Sequence, residues 1–228
     1  MVDYPRILNS GDSAISVEFG NKIDIDINSK VYALKGLLES DKSFKFLSLI
    51  PSYCSLLLEY DIVLYSHSDI KEYINKKISI LNRYKPKKNQ TQVIKIPVVY
   101  GKDFGPDIDY VSSYTKLTIG DLISIHTSKE YYVYMIGFSP GFPYLGGMDK
   151  RIFCPRLETP RIKIHEGSVG IAGQQTGIYP SESPGGWQII GRTPLKLFNI
   201  NQNPPALILP GSYVKFYPIT EEEYFEKL

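Results

Sequence analysis

The fold of this chain is decided between residues 137 and 194, by the stretches G-F-S-P-G-F-P-Y-L-G-G (137–147), P-R-L-E-T-P-R (155–161), G-S-V-G-I-A-G-Q-Q-T-G (167–177) and S-P-G-G-W-Q-I-I-G-R-T-P (183–194). Glycine permits positive φ and close approach of the backbone, whereas proline fixes φ. The segment therefore predicts tightly folded loops between short strands, a setting that often carries binding residues. The side chains expected to line such a site are Arg156, Arg161, Gln174, Gln175, Trp187 and Arg192.

Short apolar runs surround these loops and continue toward the end of the chain. Glycine and proline turns separate them, which is typical of closed or sandwiched β structure. The runs expected as strands are 93–100, 131–136, 169–172, 187–190, 195–198, 206–209 and 213–217. Between the first two, Thr118 and Asp121 form a capping-box pattern, so two short helices are expected to precede the β-rich part.

The first 85 residues have a different pattern that alternates strand and helix signals. Ile15, Val17 and Phe19 alternate as in a strand, whereas Val31, Leu34 and Leu38 recur at helical spacing. A strand pair is expected over 44–50 and 53–60, and Ser68 could cap a helix over about 68–81. The polar, proline-broken segment 83–92 is expected to link a domain over 1–84 to a second over 93–220.

Composition limits the kinds of partner. The 228 residues include 26 basic and 24 acidic side chains, a formal charge of +2, which provides no strong field for nucleic acid or an anionic membrane. The N-terminus lacks a signal-peptide pattern and no run of 18 apolar residues occurs, so a cytoplasmic protein without a membrane span is expected. Cys54 and Cys154 lack metal-ligand spacing, which favours two buried thiols over a disulfide or a structural metal.

Several longer strings carry a family resemblance. They are I-P-V-V-Y-G (96–101), F-G-P-D (104–107), Y-M-I-G-F-S-P-G-F-P-Y-L-G-G (134–147) and P-G-S-Y-V-K-F (210–216), within a match that is dense from about Ile94 to Pro218. The chain resembles the family that includes the B subunit of bacterial 5-oxoprolinase, the histidine-kinase inhibitor KipI, and the subunit 1 domain of allophanate hydrolase and urea carboxylase. The resemblance implies an α+β protein, with a small N-terminal α/β sandwich domain followed by a cyclophilin-like β-barrel domain.

The resemblance also implies a function. A 5-oxoprolinase subunit would act with partner subunits of the C and A types, opening the lactam of 5-oxoproline to glutamate while ATP is hydrolysed with Mg²⁺. No G-x-x-x-x-G-K-[ST] stretch occurs, so ATP would be bound in another way or largely by a partner. One alternative is a KipI-like inhibitor that docks on a sensor histidine kinase. Another is the corresponding part of a urea carboxylase or allophanate hydrolase.

The arginines, glutamines and tryptophan of the glycine-rich loops are the candidate substrate-binding or nucleotide-binding residues. Arg156 and Arg161 each follow a proline and Arg192 follows a glycine, and planar guanidinium forks in rigid loops suit carboxylate or phosphate. We expect all three to face one pocket together with Gln174 and Gln175, whose amides could bind a carboxylate or a lactam. Surface charges and plain tight turns are the alternative interpretation.

Two further patterns concern catalysis. Gly137 to Gly141 match the G-x-S-x-G nucleophile elbow, but Pro140 lacks the backbone N–H that an elbow needs after its serine, so Ser139 is expected to lie in a rigid loop. His126 closes a predicted helix at the position of a histidine associated with the family, and acid–base catalysis and a structural role are equally open there.

The remaining titratable candidates receive structural interpretations. His67 and His165 are expected to be structural. Asp149 and Glu182 are the carboxylates nearest the dense motifs, and either could be a solvated turn residue.

Overall fold

The chain folds in two units, residues 1–89 and 90–228, and each has its own hydrophobic core. The structure, a computed structural model, describes residues 3–81 and 92–228. Most of the expected linker, 83–92, lies outside the described residues, so the boundaries 1–84 and 93–220 stay predictions. Within the described ranges, no helix is both long and apolar enough to cross a bilayer.

The N-terminal unit is a four-stranded antiparallel sheet with two helices. Its strands have the order β1-β2-β4-β3 in the sheet. Ile15 and Val17 of the sheet and Leu34 of the first helix are fully buried, as their spacing predicted. The elements are β1 (Arg6–Asn9), β2 (Ala14–Glu18), α1 (Ile25–Ser40), β3 (Phe46–Pro51), β4 (Ser55–Tyr60) and α2 (His67–Leu81).

The start of α2 corrects one expectation. The helix begins at His67, and Ser66, rather than Ser68, caps it: the Asp69 amide donates to the Ser66 hydroxyl at 3.2 Å, and the Ser66 amide donates to the Asp69 carboxylate at 3.1 Å. This reciprocal pair satisfies two backbone donors that the helix itself leaves free. Ser68 instead lies inside the first turn.

The C-terminal unit is a closed seven-stranded barrel. Around the barrel the order is β10-β7-β6-β13-β5-β12-β9, and all neighbours are antiparallel except β5 and β13. A separate two-stranded ribbon pairs β8 with β11. The elements are β5 (Val93–Tyr100), α3 (Ile108–Thr115), α4 (Ile119–Ser128), β6 (Tyr131–Ile136), β7 (Pro143–Gly146), β8 (Arg161–Ile164), β9 (Ser168–Ala172), β10 (Gln175–Ile178), β11 (Ser183–Gly185), β12 (Gln188–Arg192), β13 (Tyr213–Pro218) and α5 (Glu221–Glu226).

The α+β architecture and the barrel are confirmed, as are the two short helices α3 and α4. Thr118 caps α4 by accepting the Asp121 amide at 3.1 Å. The runs 195–198 and 206–209, however, do not form strands, and only an isolated bridge joins Phe198 to Ala206. Proline lacks the N–H that a strand ladder needs, and prolines stand at 194, 204, 205 and 210 around these runs, which explains why pairing stops after one bridge.

Candidate functional site

An aromatic cleft of about 290 Å³ opens on the C-terminal unit, between the loop that joins β6 to β7 and the chain around β11. We call it the aromatic cleft. Its walls are rings and prolines, with one cation at the edge, so it offers flat apolar faces beside a single positive charge. The lining residues are Phe138, Phe142, Tyr144, Arg156, Pro160, Tyr179, Pro184, Gly185, Gly186 and Trp187.

The rings of the aromatic cleft form one packed cluster around Phe142. Its ring centroid lies 5.3 Å from that of Tyr179 and 5.5 Å from that of Trp187, both nearly perpendicular to it. Such edge-to-face contacts are favoured by the ring quadrupoles. Gly177 leaves room for them, because a Cβ there would lie 3.0 Å from both Phe142 Cζ and Trp187 Cζ3 and the rings would have to shift slightly. The cluster therefore holds its rings in fixed orientations.

Arg156 and Tyr179 set the electrostatics of the aromatic cleft. Burial raises the pKa of the Tyr179 hydroxyl to about 12, against the opposite effects of a hydrogen bond with the Trp187 backbone and of the Arg156 and Arg161 charges. Tyr179 thus stays a neutral hydroxyl at physiological pH. Arg156 is exposed at the mouth of the cleft. A small ligand with a planar ring and a carboxylate would meet apolar faces, a hydroxyl and a guanidinium.

A second cleft, of about 240 Å³, is lined by charged residues and is called the basic cleft. Arg161 borders it but is already paired. Its guanidinium donates to both oxygens of Asp107, at 2.6 and 2.9 Å, and the same carboxylate accepts the Ile189 amide at 2.6 Å. The residues that line the basic cleft are Asp103, Pro106, Arg161, Lys163, Ile164, His165, Ser168, Ile189 and Arg192.

Arg192 is the arginine of the basic cleft that has no carboxylate partner among residues 3–81 and 92–228. Its guanidinium carbon lies 5.7 Å from the centroid of the Phe104 ring, a cation–π contact. Its Nε is buried and has no hydrogen-bond acceptor within the described chain. The Nε itself is closed off from the cleft, so a ligand would meet the terminal N–H groups of this guanidinium, which are not among the buried unpartnered atoms of the described residues.

The structure divides the predicted arginines between two clefts, which corrects the expectation of one shared pocket. Arg156 and Trp187 line the aromatic cleft, whereas Arg161 and Arg192 line the basic cleft. Gln174, in the turn between β9 and β10, and Gln175, at the start of β10, line neither. The ribbon of β8 and β11 borders both clefts: it contributes Gly185 to the aromatic cleft and Arg161 to the basic cleft.

Ser139 lies in the tight loop between β6 and β7. The Gly137 amide donates to the Phe142 carbonyl at 3.1 Å, and the Phe142 amide donates to the Ser139 carbonyl at 3.0 Å. A strand follows this loop, whereas a nucleophile elbow leads into a helix. The rigid-loop interpretation is confirmed, and Phe138, which has positive φ and is 64% exposed, stands at the tip of the loop.

His126 is fully buried inside the barrel, where both of its ring nitrogens are bonded. Nε2 lies 2.9 Å from the Thr176 hydroxyl and Nδ1 lies 2.8 Å from the Tyr100 hydroxyl. Thr176 donates its own proton to the Gly170 carbonyl, so His126 Nε2 must be the donor and Nδ1 the acceptor from Tyr100. Burial lowers the pKa of His126 to about 3, and the ring is neutral at physiological pH. This geometry supports a structural role over acid–base catalysis.

The other titratable candidates have local partners. Asp149 caps a short 3-10 turn and pairs with Arg151 at 3.0 Å, which holds the pKa of its carboxyl well below the usual range. Glu182 pairs with Lys163 at 2.6 Å on the exposed surface. His67 is hydrogen-bonded to Tyr60 at 2.6 Å, in keeping with a structural role.

The two cysteines differ in burial. The expectation of two buried thiols is correct for Cys154 and wrong for Cys54, which is half-buried. Both are free cysteines. Burial raises the pKa of the Cys154 thiol, so it remains protonated at physiological pH and is a poor nucleophile.

A third cleft, of about 500 Å³, lies in the N-terminal unit beside the edge strand β3. It is larger but more open to solvent, and none of the residues that the sequence singled out lines it. Its charged members include Asp41, which forms an ion pair with Lys77 outside the cleft lining. We therefore place the candidate site on the C-terminal unit.

The family model of the carboxyltransferase domain, subdomain C and D, matches residues 5–208. The chain belongs to this carboxyltransferase family. Its match to the B subunit of 5-oxoprolinase from Bacillus subtilis (strain 168) is 43% identical and covers 96% of this chain and 95% of that protein. The match to the B subunit of 5-oxoprolinase from Escherichia coli O157:H7 is 46% identical over 58% of this chain and 61% of that protein. These relatives confirm the resemblance drawn from the motifs.

Solved structures of other proteins share the fold. A conserved uncharacterized protein of Pyrococcus horikoshii is 46% identical, with a TM-score of 0.58, over 96% of this chain and all of that chain. The urea amidolyase of Kluyveromyces lactis, at 22% identity and a TM-score of 0.78, contains the same fold within 15% of its length. The second likeness concerns the fold alone.

Sequence reasoning missed three important residues of the site. Phe142 and Tyr179 form the centre of the aromatic cleft, and Asp107 fixes Arg161. Asp107 could have been found from the F-G-P-D stretch, since an aspartate that follows a Gly-Pro pair within a family motif is a candidate for a paired, buried carboxylate. Its partner, 54 positions away, carries no sequence signal of the pairing.

Proposed function

We propose that this chain is the B subunit of an ATP-dependent 5-oxoprolinase, which opens the lactam of 5-oxoproline to glutamate together with partner subunits. The observation that carries the proposal is the 43% identity to the B subunit of a 5-oxoprolinase, which extends over nearly all of both chains. The urea amidolyase of Lachancea kluyveri, by contrast, is 26% identical and this chain matches only 13% of it. The oxoprolinase role is therefore the better supported of the two.

The aromatic cleft supports a role in holding the small acid amide. Its volume lies near the lower end of the roughly 300–1,000 Å³ of ligand pockets, a size suited to a compact ring. The lactam ring of 5-oxoproline would lie against Trp187 and Phe142, and its carboxylate would face Arg156. A neutral Tyr179 hydroxyl could donate to a carbonyl oxygen, and the fixed rings would restrict the orientation of the amide.

Neither the aromatic cleft nor the basic cleft suits ATP with Mg²⁺. Both volumes lie below the roughly 300–1,000 Å³ typical of ligand pockets, and the Arg161 fork of the basic cleft is already occupied by Asp107, which leaves Arg192 as its one unpaired arginine among the described residues. We therefore assign the nucleotide largely to a partner subunit. This chain would then position the lactam, while its partners of the C and A types complete the reaction.

The test is reconstitution of the activity. The purified chain is mixed with subunits of the C and A types, ATP, Mg²⁺ and 5-oxoproline, and glutamate is measured. Arg156→Ala and Arg156→Lys should both raise the KM for 5-oxoproline by roughly tenfold or more, because lysine keeps the charge but loses the fork. Arg151→Ala is the matched control, since Arg151 is an exposed arginine of the same unit that lines neither cleft.

Two results would contradict the proposal in different ways. If the complete mixture forms no glutamate while each protein is folded, the oxoprolinase role fails. If glutamate forms and both Arg156 variants behave like Arg151→Ala, the role in the complex stands but the aromatic cleft does not hold the substrate. In the first case, inhibition of a sensor histidine kinase by the chain would support the binding-protein alternative.

A further inference from the structure

We propose that the basic cleft is a second binding site, separate from the aromatic cleft, for a small oxyanion such as a phosphoryl or carboxylate group. Arg192 is its main ligand. The proposal does not depend on the oxoprolinase role, because it concerns a property of this chain alone. It starts from the guanidinium of Arg192, which lines the cleft without a carboxylate partner in the described ranges, and from the cations around it.

The charges of the basic cleft are not equivalent. The charge of Arg161 is offset by Asp107, and that of Lys163 is offset by Glu182 through an ion pair in which both side chains are more than half exposed. Exposed pairs of this kind are weak, so Lys163 can turn toward an anion at little cost. Arg192 has no carboxylate partner within the described ranges, and Asp103 is the acidic residue that lines the same cleft. Asp103 therefore offsets the Arg192 charge in the overall count of the cleft, but it forms no ion pair with Arg192, so no carboxylate of the described residues occupies the N–H groups of that guanidinium.

The guanidinium of Arg192 is held in place before any ligand arrives. Its face lies over the buried Phe104 ring, and its Cγ would be 3.4 Å from a Cβ at Gly167, which indicates a stem packed tightly on the backbone. Gly167 has a φ of +78°, and a Cβ there would also lie 2.3 Å from the Thr193 carbonyl oxygen, so only glycine fits. An arginine fixed in this way loses little side-chain entropy on binding.

The chemistry of the site specifies an oxyanion. A guanidinium has five N–H donors and no acceptor, so the terminal N–H groups of Arg192 bind acceptor oxygens, and a charged oxygen satisfies them best. Arg161 retains N–H groups that Asp107 does not use, and Lys163 and His165 stand at the same cleft. The volume of about 240 Å³ accommodates a phosphate or carboxylate group rather than a large ligand.

The experiment is calorimetric titration of the full-length chain with sodium phosphate and, separately, with sodium acetate, with sodium chloride as the ionic-strength control. Arg192→Ala should weaken binding roughly 10- to 100-fold, because hydrogen bonds to a charged group are lost. Arg192→Lys should recover only part of the affinity. Arg151→Ala removes an exposed arginine from the same unit and should bind like the unchanged protein. Preference for phosphate or for acetate identifies the group that the site takes.

The outcomes are decisive because binding is measured without partners. Trp187 fluorescence first verifies that each variant is folded, and Arg192→Lys tests the site if Arg192→Ala does not fold. Tight binding that both Arg192 variants retain would overturn the proposal, as would the absence of binding by either anion. Neither result would bear on glutamate formation by the assembled subunits, which tests the proposed function independently.

Discussion

The neutral histidine inside the barrel should make the C-terminal unit sensitive to mild acid. Burial lowers the pKa of His126 from 6.5 to about 3, so below pH 6.5 the unfolded chain binds a proton that the folded chain does not. Stability therefore rises with pH across the window from 3 to 6.5 and is fully present above it. This sign is the opposite of that for a histidine which gains an acidic partner on folding.

The magnitude follows from the two pKa values. Between pH 8 and pH 5, the unfolded histidine becomes almost wholly protonated while the native ring stays neutral, which removes about 2 kcal/mol of unfolding free energy. With a urea dependence of about 2 kcal/mol per molar, the unfolding midpoint should fall by about 1 M. The low pKa of Asp149 does not contribute, because that carboxyl titrates below pH 5 even when unfolded.

The assay is urea unfolding at pH 8 and pH 5, followed by Trp187 fluorescence. Trp187 is the single tryptophan of the chain and lies in the C-terminal unit, so its emission reports on the barrel. His126→Gln keeps a donor and an acceptor but cannot titrate, and it should lose the difference of about 1 M between the two pH values. His165→Gln, at an exposed histidine, is the matched control and should keep it.

The comparison is between pH values within each variant, so a general loss of stability in His126→Gln does not affect it. An unchanged midpoint difference in His126→Gln would refute the reasoning, because the pH dependence would then come from other groups. Loss of the difference in His165→Gln would do the same.

Two further variants test the structural assignments. Asp107→Ala should lower the unfolding free energy by about 2–4 kcal/mol. This is somewhat less than for a wholly buried pair, because the side chain of Arg161 is 34% exposed. Urea unfolding measures the change, and a loss below about 0.5 kcal/mol would show that the pair contributes little. Ser139→Ala should keep glutamate formation in the reconstituted assay within about threefold, whereas a loss beyond roughly a thousandfold would identify a nucleophile.

The glycine-rich and proline-rich stretches predicted closed or sandwiched β structure, because local rules decide where the short strands and loops lie, and it was the family resemblance that implied a barrel. Loops with required φ values separate the strands, and the Thr118 cap is visible in neighbouring residues, as is the alternation of Ile15 and Val17 in the sheet of the N-terminal unit. The runs 195–198 and 206–209 were predicted as strands from their apolar residues. Prolines flank both runs and lack the N–H that strand pairing needs, so no strands form there. These runs still bury Leu197 and Ile208, so the apolar signal was correct about burial and wrong about pairing.

The candidate site was less predictable because its decisive contacts join distant positions. Nothing near Arg161 in the sequence shows that Asp107 occupies its fork, and nothing near His126 shows that Thr176, 50 residues later, fixes its tautomer. The sequence could identify arginines in rigid loops but could not determine which were paired. Only the closed barrel distinguishes Arg192, whose Nε lacks an acceptor within the described chain, from an arginine that serves the fold.

The ribbon of β8 and β11 contributes residues to both the aromatic cleft and the basic cleft. Arg161 pairs in register with Gly185, so the Asp107 carboxylate that holds Arg161 also fixes the strand that borders the aromatic cleft. The same carboxylate anchors β12 through the Ile189 amide, two residues from Trp187. Movement of this carboxylate would therefore disturb both clefts together, whereas changes at Arg156 or Arg192 should affect one cleft each. The proposed substrate and oxyanion sites would thus depend on one ion pair, between Asp107 and Arg161, for their relative position.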